Sequence, residues 1–153
     1  MNILAISKIK DGTVIDHIPS GKALEVLKIL GIKRGSKERV SMAMNVESKK
    51  MGKKDIVKVE GKFISEEELN RISLIAPEAT INIIKNFEIK RKFRVNLPES
   101  VERLLRCPNM SCISNDEKEP ATPIFRIEKT DNQVVAVCIY CGKRVYEIEE
   151  YLV

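Results

Sequence analysis

Apolar residues recur every second position through most of the first ~90 residues and adopt helical spacing in only two stretches. Asn2 to Ile9 is apolar-rich and strand-like, and Lys10-Asp11-Gly12 is a turn signal. Thr13 to Ile18 is β-branched and strand-like again, stopped by Pro19. Ser20 offers an N-cap for a helix over Lys22 to Leu30, with Ala23, Leu24, Leu27 and Leu30 on one face and Gly31 at C′. Arg39 to Val46 alternates, with Val40, Met42, Met44 and Val46 facing one way as an ordinary sheet face. Residues 47–54 read as a polar hinge or hairpin loop, and Asp55 to Glu60 as the next strand. A second helix starts at Ser65, with Glu68 three residues on completing a capping box and Ile64 and Leu69 placed for a hydrophobic staple; Pro77 ends it. Thr80 to Ile89 alternates once more, with Ile81, Ile83, Phe87 and Ile89 on one face.

The resulting order is strand, helix, strand, strand, helix, strand. This is the split βαβ pattern, so the fold class expected is α+β: a ferredoxin-like βαββαβ sandwich with both helices on one face of the sheet. The other face is left for a second copy or a ligand. Lys90 to Arg94 and Leu97-Pro98-Glu99 break the alternation and read as a domain edge and linker, which places the domains at 1–97 and 98–153. Beyond it, Ser114 to Pro123 is a polar loop, and Ile124 to Lys129, Gln133 to Val137 and Lys143 to Ile148 are strand-like. The tail is a small all-β module of under ~60 residues, too small to bury much core.

What holds such a module together is visible in Cys107, Cys112, Cys138 and Cys141, the only cysteines of the chain. The pattern C-x4-C, 25 intervening residues, C-x2-C is the spacing of a structural four-cysteine zinc site. Gly142 supports it, because a glycine after the last cysteine lets backbone N–H groups turn toward the sulfurs. Two disulfides are the competing use of four cysteines. Met1-Asn2-Ile3-Leu4 has no signal-peptide pattern, so a cytoplasmic compartment that keeps thiols reduced is expected. Four thiolates leave the metal no open position for an activated water; it would hold a fold rather than do chemistry.

Charge then separates the two halves. Residues 1–106 carry 22 basic and 14 acidic residues, and residues 107–153 carry 5 and 8. The excess positive charge is therefore not on the cysteine module, which argues against a nucleic-acid-binding zinc ribbon. Aromatic residues make up 5% of the chain, and the first domain's sheet offers essentially Phe87, too few to stack single-stranded RNA. No apolar run approaches the ~20 residues of a membrane helix, so no membrane partner is expected. Nor is there a Gly-rich phosphate loop, a nucleophile elbow or a catalytic carboxylate pair, and strand alternation separates Asp16 from the one histidine, His17. An enzyme is disfavoured. Lys49, Lys50, Lys53 and Lys54 read as solvated charge, whereas Lys58, Lys92 and Arg94 are positioned to converge with His17 on one rim. Cations with a carboxylate beside them suit a nucleotide.

Four stretches carry a family resemblance: Gly12-Thr13-Val14-Ile15-Asp16-His17-Ile18-Pro19; Met51-Gly52-Lys53-Lys54-Asp55; Ala76-Pro77-Glu78-Ala79-Thr80; and Cys107-Pro108-Asn109 with Cys112-Ile113-Ser114. Over essentially its whole length the chain resembles the regulatory chain of aspartate carbamoyltransferase. The resemblance implies a non-catalytic subunit in pyrimidine biosynthesis. Its N-terminal domain would bind CTP and ATP in competition, CTP inhibiting and ATP activating, with UTP aiding CTP in some members. Its zinc domain would dock on the catalytic chain, with regulatory homodimers bridging catalytic trimers. By position, Asp16 and His17 look like nucleotide contacts, Lys58 and Lys92 like the phosphate and ribose cations, and Ile9, Asn82, Ile84 and Ile89 like residues around the base. The four cysteines fall on the zinc ligands. This sequence departs from well-known members at Ile3 (a lysine there), Phe87 (a tyrosine), Ser111 (an asparagine) and Gly142 (an acidic residue).

Overall fold

The computed structural model describes residues 8–131 and 133–153. Most of the expected strand Asn2–Ile9, with Ile3, lies outside them. The chain forms two compact units, Met1–Asn96 and Leu97–Val153. The fold is mixed α+β, with two antiparallel sheets and few helices.

In the first unit the described strands are β1 (Gly12–Pro19), β2 (Val40–Ser48), β3 (Gly52–Glu60), β4 (Thr80–Lys85) and β5 (Glu88–Arg94), with α1 (Ala23–Ile29) after β1 and α2 (Glu66–Ile75) after β3. Their order across the sheet is β2-β3-β1-β4-β5. The first four strands have the order expected of a split βαβ fold; β5 extends it. The expected single strand Thr80–Ile89 breaks instead at Asn86 and Phe87, both at positive φ, and folds back as a hairpin. Lys90 to Arg94 is thus the outer strand of that hairpin rather than a linker.

The helices cover one face. Asp55 on β3 is fully buried, and its carboxylate accepts from the N–H groups of Gly21 and Ala23 at 2.8 and 3.0 Å, capping α1 from the strand. Ser20, the cap expected from the sequence, instead donates to Asn45 Oδ1. The buried stripe of α1 is Ala23, Val26, Leu27 and Leu30, while Leu24 is exposed. Gly31 ends the helix at φ +78, with its N–H to Lys28 O and that of Ile32 to Leu27 O, a Schellman pair. The capping box of α2 is formed on both sides, Glu68 N to Ser65 Oγ at 3.2 Å and Ser65 N to Glu68 Oε1 at 3.0 Å. Since Asp55 faces α1, so do Val57 and Val59 on the same strand, and through register Ile15 and Ile81.

Three register shifts interrupt the pleat among the described residues. One lies in β1 between Ile15 and Ile18, with His17 at φ +60; a second lies in β2 between Ala43 and Val46, with Asn45 at φ +61; a third lies between β4 and β5, where Ile83 faces Arg91 and Ile84 faces Ile89 so that Lys90 is passed over. The methionine face spans the β2 shift, and Met42 and Met44 stay exposed on an edge strand of the described sheet. At the start of β1, Gly12 has φ +151, and a Cβ there would stand 2.3 Å from Val59 O, so the close approach of β1 to β3 requires glycine.

The second unit is a sheet of order β6-β7-β8-β9: Ser100–Glu102, Ile124–Thr130, Gln133–Cys138 and Arg144–Val145. Phe125, Leu105, Val135, Ala136 and Ile148 fill its core. The expected strand Lys143–Ile148 shortens to two residues and passes into a 3-10 turn at Ile148–Glu150, which buries Ile148 and leaves Tyr146 exposed. The chain end is tied back beside the first cysteine, Arg106 N to Tyr151 O at 2.9 Å and Val153 N to Leu104 O at 2.9 Å.

Candidate functional site

Register decides which side chains share the face opposite the helices. Directly opposed residues of an antiparallel pair point the same way. Val14 lies opposite both Lys58 and Asn82, and Asn82 lies opposite Lys92. One row thus carries Lys58, Val14, Asn82 and Lys92 across β3, β1, β4 and β5. On the same face Ile9, Val14, Ile56 and Ile84 form a buried apolar cluster, and Ile89, opposite Ile84, is half exposed. The next row pairs Asp16 with Thr80 and Thr80 with Arg94.

This face holds polar groups at depth. Lys58 and Asn82 are each 3% exposed. Burial pulls the Lys58 ammonium below its ordinary pKa, with Glu60 opposing. Asn82 Nδ2 reaches Val14 O at 3.5 Å, while its Oδ1 is buried and meets no donor among the described residues. An acceptor left in that state is costly, and a ligand donor would relieve it.

The rim is built by the β1 bulge. His17 is turned out of the alternation, so that Asp16 and His17 do act together: the His17 backbone N–H donates to Asp16 Oδ1 at 2.6 Å, and His17 Nδ1 lies 3.1 Å from Thr80 Oγ1. Asp16 in turn meets Lys54 Nζ at 2.8 Å. The Lys54 side chain is only 3% exposed, so it is not the solvated charge its sequence suggested. Burial is the largest cause lowering the His17 pKa; Asp16 opposes it, and the charges of Lys54, Lys50 and Lys92 add to it. Four cationic or titratable groups therefore lie within electrostatic reach at one end of the face. Arg94 donates to Glu78 there, and Lys50 Nζ is 3.7 Å from the same carboxylate oxygen.

Of the ten residues singled out in this unit, nine lie on this face or its rim: Ile9, Asp16, His17, Lys58, Asn82, Ile84, Ile89, Lys92 and Arg94. Phe87 sits in the β4–β5 turn, exposed, with its N–H bound to Lys10 O at 2.9 Å, which ties the turn to the segment carrying Ile9. Sequence reasoning missed Lys54, Lys50, Thr80 and Glu78. Their proximity depends on a bulge and a hairpin that leave no periodic signal.

The second site is local. The four cysteine sulfurs lie within 4.8 Å of one another, with Cys107–Cys141 and Cys112–Cys138 at 3.6 Å, and no disulfide joins them. A tetrahedral ion with metal–sulfur bonds of about 2.3 Å needs sulfurs about 3.8 Å apart, so this donor set fits a four-thiolate metal. Two turns present it. Asn115 Nδ2 donates to Cys107 O and Asn109 O at 2.9 and 2.8 Å, closing the first turn. In the second, Gly142 adopts φ +76 and its N–H bonds Cys138 O at 2.9 Å. Backbone N–H groups of Asn109, Tyr140, Cys141 and Lys143 point at sulfurs. Burial pushes the Cys107 thiol up to about 12, with Cys141 and Cys138 adding to it, and burial also raises Cys138. At Cys141 burial acts upward too, but the Lys143 N–H, Asn109 and the neighbouring thiols outweigh it and bring the group down to about 6. Thiols that share protons in this way titrate as a group, and a divalent ion substitutes for those protons.

These turns also expose large apolar side chains: Met110 (82% exposed), Ile113, Ile139 and Tyr140 all lie within two residues of a cysteine of the cluster. Among the described residues no helix is long and apolar enough to cross a membrane.

Residues 4–96 match the family of the aspartate carbamoyltransferase regulatory chain, allosteric domain, and residues 99–150 match its metal binding domain. The chain is 59% identical over 152 residues to the aspartate carbamoyltransferase regulatory chain of Archaeoglobus fulgidus, which covers 99% of each. It is 50% identical over 153 residues to that of Staphylothermus marinus, covering 99% of this chain and 93% of the relative. With that of Pyrococcus horikoshii it shares 53% over 150 residues, 97% and 96% of the two chains.

Proposed function

The chain belongs to the aspartate carbamoyltransferase regulatory chain family, and from that footing we propose that its first unit binds CTP and ATP on the open face of the sheet and passes the signal to the catalytic chain through a zinc-held second unit. It is a non-catalytic subunit with an allosteric and a metal-binding domain, and it associates with the catalytic chain. The observation that carries the nucleotide reading is the pairing of a buried Lys58 and an acceptor-bearing Asn82 with an apolar floor, beside a cationic rim. The floor of Ile9, Val14, Ile84 and Ile89 suits a base. Lys58, Lys92, His17 and Arg94 suit phosphates and ribose, and Asp16 a sugar hydroxyl. UTP would use the same face beside CTP.

Zinc is the ion the four-thiolate set suits, and its role is to fold the docking module. Met110, Ile113, Ile139 and Tyr140 are the apolar anchors of the contact with the catalytic chain. A homodimer through the first unit is supported by β2, an edge strand, with Met42 and Met44 exposed on it and Leu24 exposed on α1. Reduced thiols suit a cytoplasmic setting. Each nucleotide then shifts a quaternary equilibrium only by its differential affinity for the two states, and aspartate must shift nucleotide affinity reciprocally.

The test is calorimetric titration of CTP into the wild-type chain and into Lys58→Ala and Lys92→Ala. Affinity falls by at least about tenfold in each, the loss expected for a charge-assisted phosphate contact, while both variants still associate with the catalytic chain. Unchanged titrations would remove these residues from the site.

A further inference from the structure

Glu78 lies in the turn between α2 and β4, outside the set of residues assigned to the nucleotide. Its Oε2 is shared by two cations from distant parts of the chain: Arg94 of β5 donates to it, and Lys50 of the β2–β3 turn approaches to 3.7 Å. Both cations belong to the rim. Arg94 lies opposite Thr80, whose hydroxyl meets His17 Nδ1 at 3.1 Å, and Lys50 is near enough to His17 for its charge to act on the imidazole. A carboxylate held by an arginine and a lysine at the end of a cationic rim occupies the kind of position that suits a terminal phosphate.

Resting on the nucleotide reading above, we propose that Glu78 is a built-in competitor for the terminal phosphates, holding Arg94 and Lys50 until a nucleoside polyphosphate takes them and so limiting how strongly the site favours tri- over monophosphates. The exchange is feasible because the pair is accessible: the side chains of Arg94 and Lys50 are 60% and 49% exposed, and that of Glu78 27%. Exposed pairs of this kind are weak, whereas phosphate offers arginine a bidentate partner of higher charge. The displaced carboxylate still repels the phosphate chain, so its charge opposes the triphosphate twice: as competitor before binding and as neighbour after it. A monophosphate anchored nearer His17 does not reach far enough to feel either effect.

The experiment is calorimetric titration of CTP and of CMP into the full zinc-loaded chain, as wild type, Glu78→Gln and Glu78→Ala, with Glu78→Gln also combined with Arg94→Ala. Removing the charge raises CTP affinity by about three- to tenfold, in keeping with an exposed ion pair, and changes CMP affinity less than about twofold. The gain shrinks in the Arg94→Ala background, where only the competition for Lys50 and the repulsion remain. Equal changes for CTP and CMP, no change, or a weaker CTP in both Glu78 variants overturns the proposal while leaving the nucleotide site standing. A wild-type chain that binds neither nucleotide overturns the site and this inference together.

Discussion

The metal centre and the open face assemble their chemistry over different distances along the chain. Cys107 and Cys112, like Cys138 and Cys141, come from single turns, and each turn is closed by its own hydrogen bonds. The open face draws Lys58, Val14, Asn82 and Lys92 from four strands, and the order of those strands places β1 between β3 and β4. The difference teaches where each unit is vulnerable. The cysteine module has a small core, so its integrity depends on four sulfurs and an ion. The open face is held by a continuous sheet, and what is delicate there is the aim of a few side chains, set by the bulge in β1 and the register shift between β4 and β5.

The largest effect is expected where a ligand sulfur is removed. Cys138→Ser, or chelation of the wild type, unfolds the second unit, since metal binding in small four-ligand modules supplies on the order of 10 kcal/mol of folding free energy. Association with the catalytic chain is lost, and CTP binding by the first unit is retained. Metal content, size-exclusion chromatography with the catalytic chain and a CTP titration check the three parts. Retained co-elution after complete metal loss would break the contrast between the units.

A smaller effect, on the opposite unit, follows from Lys54. Its ammonium is buried against Asp16, which in turn holds the His17 N–H in the bulge. Lys54→Met leaves the largely buried Asp16 without that partner and costs about 3 kcal/mol of stability. It weakens CTP about tenfold through His17 while metal content stays at the wild-type level. Thermal unfolding, calorimetry and metal analysis separate these outcomes; wild-type CTP affinity would mean that the bulge needs no such anchor.

How far each site is readable from the chain follows from the same contrast. The cysteine spacing, Gly142 and the capping box at Ser65 and Glu68 are local patterns with local causes: the four cysteines cluster, Gly142 takes a positive φ and the capping box closes on both sides. The alternating strands also imply a sheet open on one side. Period-two reasoning fails at His17 and Asn45, because a bulge inserts a residue without changing composition. It merges β4 and β5 for a similar reason: Asn86-Phe87 is not a glycine-marked turn, yet both residues take positive φ there. Lys54 is indistinguishable from its neighbours Lys49, Lys50 and Lys53 until the fold puts it under Asp16.

The smallest effect is a pH dependence confined to the first unit. Burial holds His17 below its ordinary value of 6.5, so the neutral imidazole is favoured, and the unfolded chain binds more protons than the folded one. This contribution to stability is therefore lost as pH falls through about 6.5 and below. A bound phosphate favours the imidazolium, so CTP binding takes up a proton and tightens as pH falls through that window. Titrations between about pH 8 and pH 6 in buffers of different ionisation enthalpy check it, with His17→Gln expected to flatten the slope. A slope that survives that change belongs to another group.

The central claim is that the open face of the first sheet, and not the cysteine module, receives the nucleotide. Backbone amide NMR of the full zinc-loaded chain during a CTP titration tests it most directly. The largest shifts are expected on Val14, His17, Lys58, Asn82 and Lys92, with the amides of the four cysteines moving little. Shifts concentrated in residues 97–153, or on the helix-facing row of Ile15, Val57 and Ile81, would contradict it.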